Sequence, residues 1–131
     1  MAGRDKALLW LGVLTMIATG VIHLVDAPDS YTEATYKGVL FHANALGCLV
    51  VVIGLFRNDR WSWNLGLVIA LGSIVAYVAS RTVGLPGIAA EPDAWLEPLG
   101  VAAVTAEALF AAAYVLRKRP IGDAPTAPPR A

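Results

Sequence analysis

The stretch Ala7 to Val25, ALLWLGVLTMIATGVIHLV, runs for 19 residues without an Asp, Glu, Lys or Arg. At a rise of about 1.5 Å per residue, a helix of this length crosses the roughly 30 Å of hydrocarbon in a bilayer. The stretch is longer than the apolar region of a secretory signal peptide, and it ends in His23, Asp26 and Pro28 rather than in a small-residue cleavage site. It therefore predicts a membrane-spanning helix.

Three further apolar stretches follow, separated by short clusters of charged residues. The predicted spans cover residues 7–25, 38–56, 61–80 and 95–116, in a chain of 131 residues that is 57% hydrophobic and only 15% charged. The sequence thus predicts an all-α integral membrane four-helix bundle with antiparallel neighbours, formed by residues 1–119. Residues 120–131, rich in Pro and Ala, are expected to form a disordered cytoplasmic tail.

Lysines and arginines are distributed unevenly between the two predicted sides of the membrane. One side carries only Lys37 and Arg81. The other side carries eight, namely Arg4, Lys6, Arg57, Arg60, Arg117, Lys118, Arg119 and Arg130. Because basic loops stay in the cytoplasm, we expect a cell-membrane protein with its N- and C-termini cytoplasmic.

The two outer loops carry local signals for helix ends. Ser30-Tyr31-Thr32-Glu33 has the spacing of a capping box, which predicts that helix two begins near Tyr31. In the second outer loop, Gly84 or Gly87 can take the left-handed conformation that ends a helix, and Pro86 prevents the helix from continuing. Pro98 suits the first turn of helix four.

Polar side chains inside the spans concentrate in the outer half, and they recur at helical spacing. Thr15, Thr19 and His23 share one face of helix one, and helices three and four carry similar stripes. Such stripes face neighbouring helices rather than lipid, which predicts a polar pocket that opens outwards. The candidate residues of this ligand or ion pocket are His23, His42, Tyr77, Arg81, Glu97 and Glu107.

Each candidate also has a simpler interpretation. His23 and His42 are interfacial hydrogen-bonding residues, a shared pair of metal or haem ligands, or residues that transfer protons. Arg81 is an anchor that is paired with a carboxylate or reaches the interface, or else it binds an anionic ligand at the pocket mouth. Glu107 is a neutral carboxyl bonded across the bundle, or an acceptor of a proton or cation. We expect no cofactor, with haem or a metal ion as the open alternative.

The composition also limits the partners and the chemistry. Cys48 is the only cysteine, so an intramolecular disulfide is excluded, and no nucleophile lies in a recognisable motif beside a base. We therefore do not expect an enzyme. The net charge of zero argues against nucleic acid, and the expected partners are the lipid bilayer and, in addition, other membrane proteins or a second copy of the chain.

Four short motifs occur together in this chain. They are Gly20-Val21-Ile22-His23-Leu24, Ala27-Pro28-Asp29 with Tyr36 to Phe41, Arg81 to Gly87, and Glu97-Pro98-Leu99-Gly100 with Glu107. In this combination the chain resembles a group of uncharacterised small four-span membrane proteins of actinobacteria. The resemblance covers most of residues 7–116. It implies the four-span topology and supports His23, Arg81, Glu97 and Glu107 as candidates, without implying an activity.

Three functions from different classes remain open. The first is a non-catalytic subunit or packing module of a membrane assembly, in which small residues such as Gly66 and Gly72 allow close helix contact. The alternative is an outward-facing polar pocket that binds or conducts a small ligand, proton or metal ion. The second alternative is a b-type haem protein with His23 and His42 as axial ligands.

The predicted orientation can be tested with an impermeant thiol reagent on intact cells. Cysteines introduced as Asp29→Cys and Glu91→Cys should be labelled, because both positions lie in predicted outer loops. Cysteines introduced as Asp59→Cys and Arg119→Cys should be protected until the cells are opened. The opposite labelling pattern would overturn the orientation.

Overall fold

The computed structural model describes residues 3–118, which form four long α-helices and one short 3-10 helix. The helices are α1 (Gly3–Glu33), α2 (Thr35–Phe56), α3 (Arg60–Thr82) and α4 (Pro98–Lys118), with the 3-10 helix at Pro92–Ala94. All four are long and apolar enough to cross a membrane. The all-α prediction is thus confirmed for the described residues, whereas the predicted tail 120–131 lies outside them.

The four helices form a ring in chain order. Helix α1 packs against α2 and α4, and α3 packs against the same two neighbours. Each helix runs antiparallel to its neighbours, as the contact of the Arg4 guanidinium with the Leu116 carbonyl illustrates for α1 and α4. We call the end with residues 3 and 118 the termini end, and the end with Ala34 and residues 83–97 the loop end.

The half of the bundle at the termini end has a dense apolar core. The rings of Trp63 and Phe110 lie 5.4 Å apart between their centroids, and Phe110 is fully buried. Two glycines make room for these rings. A Cβ on Gly66 would lie 2.3 Å from Phe110 Cζ, and one on Gly12 would lie 2.8 Å from Trp63 Cη2. The helices therefore approach closely around these two rings.

The connection between α1 and α2 differs from the predicted capping box. Helix α1 continues through Pro28 to Glu33, and α2 begins at Thr35, so the prediction of a start near Tyr31 is wrong. Ser30 is buried inside α1, where its carbonyl accepts a helical hydrogen bond of 3.1 Å from the amide of Ala34. The capping-box spacing therefore lies within a continuing helix.

The segment between α3 and α4 folds back over the loop end. Gly84 (φ 86°) and Gly87 (φ 71°) are both left-handed, which allows the chain to leave α3 and to turn again after Pro86. The Tyr36 hydroxyl donates to the Pro86 carbonyl at 2.6 Å, and the Glu91 amide donates to the Ser80 carbonyl at 2.9 Å. The segment is thus attached to both α2 and α3.

The tight fit of Phe110 against α3 gives a matched pair of glycine variants. Gly66→Ala should lower the stability by about 1 to 3 kcal/mol, since its methyl group overlaps the Phe110 ring. Gly72→Ala on the same helix should leave the stability unchanged, because no atom lies within 4 Å of the added Cβ. Thermal unfolding of the purified protein in detergent measures both. Equal stability of the two variants would contradict this packing, and Phe110→Leu should restore stability to Gly66→Ala.

Candidate functional site

A cavity of about 850 Å³ occupies the half of the bundle at the loop end. All four helices and the 83–97 segment contribute to its wall. Five of the six residues predicted for a pocket line it, namely His23, Tyr77, Arg81, Glu97 and Glu107. The structure does not bring the sixth, His42, to this cavity.

Glu107 lies on the wall at the deep end of the cavity and is only 1% exposed. The Ser73 side chain lies beside its carboxyl group. The Asn44 amide donates to Ser73 Oγ at 2.8 Å, and the Cys48 thiol donates to Asn44 Oδ1 at 3.4 Å. Both hydrogen bonds run from Cys48 towards Ser73, which places the Ser73 hydroxyl group next to the Glu107 carboxyl group.

One oxygen of this carboxyl group has no partner. Glu107 Oε1 is buried and accepts no hydrogen bond, and it is the only buried side-chain oxygen or nitrogen in residues 3–118 of which this is true. Leaving such an atom unpaired costs about 1 to 3 kcal/mol. The cavity beside Glu107 offers the space in which a partner for this oxygen could bind.

Arg81 organises the rim of the cavity. Its guanidinium lies 4.1 Å from the Tyr77 ring centroid and 3.7 Å from Glu97 Oε2, and it donates to the Ala94 carbonyl at 3.2 Å. Glu97 Oε2 also accepts from the Gly100 amide at 3.1 Å. The geometry matches the interpretation of Arg81 as a carboxylate-paired anchor, which attaches the end of α3 to the start of α4.

The two histidines face different spaces. His23 is buried beside Phe41, and its Nδ1 donates to the Thr19 carbonyl at 2.8 Å, which leaves Nε2 as an acceptor. His42 is exposed and lines a separate apolar groove of about 520 Å³ between α1 and α2. Successive residues of a helix point about 100° apart, so His42 points away from the cavity that its neighbour Phe41 lines.

A metal or haem site shared by His23 and His42 requires both side chains to reach the same space. His23 lines the cavity, however, and His42 lines the separate groove. In addition, no group of three or more His, Cys, Asp or Glu residues in the described part of the chain is arranged to hold a metal ion. These placements give no geometric support to the haem and metal alternatives.

Several cavity residues were not among the predicted candidates. They are the pair Asn44 and Ser73 and the carboxylates Asp26, Asp29, Glu33 and Glu91. Asn44 and Ser73 fall at the same depth as Glu107, a signal that could have identified them. The four carboxylates surround the mouth. Counting residues from the end of the span places Asp26 at the outer rim, whereas Asp29, Glu33 and Glu91 lie outside the predicted spans.

The cavity is also open on one side within the spans. Its strongly exposed lining residues in the spans lie on α2 and α3, for example Leu40 at 59% and Val68 at 68%. Small exposed residues, Ala43, Gly72 and Ala76, line the same side. In a membrane, this opening would face lipid.

Comparison with known proteins places the chain in a family but adds no chemistry. No curated protein and no solved structure matches it. A family model described only as of unknown function matches residues 3–116, nearly all of the described chain. The protein therefore belongs to this family of unknown function, DUF7475.

Proposed function

We propose that this chain is a multi-pass membrane protein that binds a small ligand in the cavity, with Glu107 as its polar anchor. The observation that carries the proposal is the unpartnered Oε1 of a carboxyl group that is 1% exposed and lies on the cavity wall. With both termini in the cytoplasm, the loop end and the mouth of the cavity would face outwards.

The alternative of a packing module explains the other polar residues better than it explains Glu107. On α1, the Thr15 hydroxyl donates to the Leu11 carbonyl at 2.7 Å and the Thr19 hydroxyl donates to the Thr15 carbonyl at 2.9 Å. These groups are satisfied within their own helix. A carboxyl group that served packing alone would be expected to find partners for both of its oxygens as well.

The volume of the cavity also favours a ligand. About 850 Å³ lies within the range of roughly 300 to 1,000 Å³ that is typical of small-molecule sites. Its wall between the two ends is mostly apolar, with charged groups at the mouth and a small polar group, Asn44, Ser73 and Glu107, at the deep end. This combination binds an apolar body and orients it by one polar contact.

Ser73 and Asn44 act as positioning residues in this proposal. Because Asn44 donates to Ser73 Oγ, the Ser73 proton is directed at Glu107 and fixes the carboxyl group. A ligand donor would then complete the hydrogen bonding of Oε1. Such a hydrogen bond is stronger in the low dielectric of a membrane-embedded cavity than it is in bulk water.

Native mass spectrometry of the protein, purified in mild detergent from its own membrane, tests the proposal. The wild-type chain should retain a small non-lipid molecule. Glu107→Gln should lose it while keeping its thermal stability, because the amide preserves the shape but replaces an acceptor by a donor. Gly72→Phe, which fills the open side of the cavity, should also lose it.

The matched control is Asp5→Asn, which removes an exposed carboxylate at the termini end. This variant should retain the molecule like the wild-type chain. A wild-type protein that carries nothing, or a Glu107→Gln variant that carries the same molecule at the same occupancy, would contradict the proposal.

A further inference from the structure

Building on the proposed function, we propose that the ligand is an amine with an apolar body. It enters from the bilayer between α2 and α3 and directs its ammonium group at Glu107. The inference combines the charge of the cavity, the chemistry at its deep end and the position of its side opening.

The charges on the cavity wall are predominantly negative. Two cationic side chains line it, and each is already paired, Lys37 with Glu33 at 2.5 Å and Arg81 with Glu97 at 3.7 Å. The remaining carboxylates of the mouth, which form no ion pair within residues 3–118, are Asp26, Asp29 and Glu91. A mouth of this charge attracts cations and repels anions.

The deep end of the cavity favours a ligand that carries a hydrogen-bond donor. Glu107 Oε1 is an acceptor without a partner, and an ammonium group would give it a charge-assisted hydrogen bond. A bare metal ion is a poor alternative because Ca²⁺ or Mg²⁺ requires about six oxygen ligands, and the described residues offer no group of three suitable side chains. The volume also far exceeds the needs of an inorganic ion.

The apolar body of the ligand would lie against aliphatic side chains. Leu40 and Ile69 line the cavity on α2 and α3, and Val104 lines it on α4, one turn from Glu107. An apolar amine partitions into the bilayer, and the exposed small residues Gly72 and Ala76 leave space for it to pass between α2 and α3.

The depth of Glu107 shows which of two amine sources, a free amine or a phospholipid headgroup, can reach its carboxyl group. Glu107 lies nine residues along α4 from Pro98, which corresponds to a depth of about 14 Å. A phospholipid keeps its headgroup at the interface, so its amine would not reach the carboxyl group. The ligand is therefore a small amphiphilic amine and not a membrane lipid.

Three probes of the same shape and different charge test the inference. They are 2-phenylethylammonium, the neutral 2-phenylethanol and the anionic 3-phenylpropionate, titrated calorimetrically into the full chain in detergent. The ammonium probe should bind at least tenfold more tightly than the alcohol, and the carboxylate should not bind detectably. Glu107→Gln should weaken the binding of the ammonium probe at least tenfold and leave the affinity for the alcohol unchanged. Asp5→Asn is the matched control and should bind all three probes as the wild-type chain does.

Ser73→Ala provides a second variant in case Glu107→Gln does not fold. This variant should also weaken the binding of the ammonium probe, because the Glu107 carboxyl group loses the neighbouring hydroxyl group that positions it. Equal binding of the ammonium and the alcohol, with both lost in Gly72→Phe, would overturn the charge preference and leave the proposed pocket standing. Absence of binding by all three probes would overturn the inference, and the proposed function would fail with it only if native mass spectrometry also found no retained molecule.

Discussion

The absence of water from the bilayer interior is the constraint on which this structure depends. A backbone that crosses hydrocarbon must satisfy its own polar groups, and the α-helix does so within each segment. Side chains face the same requirement. Thr15 and Thr19 meet it by donating to carbonyls of their own helix, and Asn44 meets it by donating to Ser73 on the neighbouring helix. Against this background, the unpartnered oxygen of Glu107 is an exception that calls for a cause.

The division of the bundle into a filled half and an open half follows from side-chain size. At the termini end, the Trp63 and Phe110 rings occupy the space beside Gly12 and Gly66, and the helices approach closely. At the loop end, smaller residues line the space beside Glu107, for example Ala103 on α4, Ser73 on α3 and Asn44 on α2. The larger residues there, such as Tyr77 and Arg81, lie at the rim, so a cavity is left between the helices.

The sequence predicted the helices well because length and hydropathy determine them, but it predicted contacts poorly. The depth of Glu107 and of Ser73 could be counted from the helix ends. Their placement side by side depends on the order of helices around the ring, which no local pattern encodes. His42 was misplaced for a related reason, since a shift of one residue turns a side chain by about 100° and counting depth ignores this angle.

The side chains of Cys48, Asn44, Ser73 and Glu107 form a polar path along the bundle. The course of this path indicates whether the cavity binds a ligand or conducts protons or ions. A path for protons or ions would have to continue from Cys48 towards the termini end. Beyond Cys48, the interior consists mainly of the buried side chains Val51, Leu55 and Phe110. The buried hydroxyl of Ser62 donates to the carbonyl of Asp59 and does not continue the path from Cys48. The two hydrogen bonds of this polar path, from Cys48 to Asn44 and from Asn44 to Ser73, also run towards Glu107 and therefore towards the cavity. The polar path therefore ends at an apolar core and does not cross the bundle. This favours the binding of a ligand in the cavity over the conduction of protons or ions.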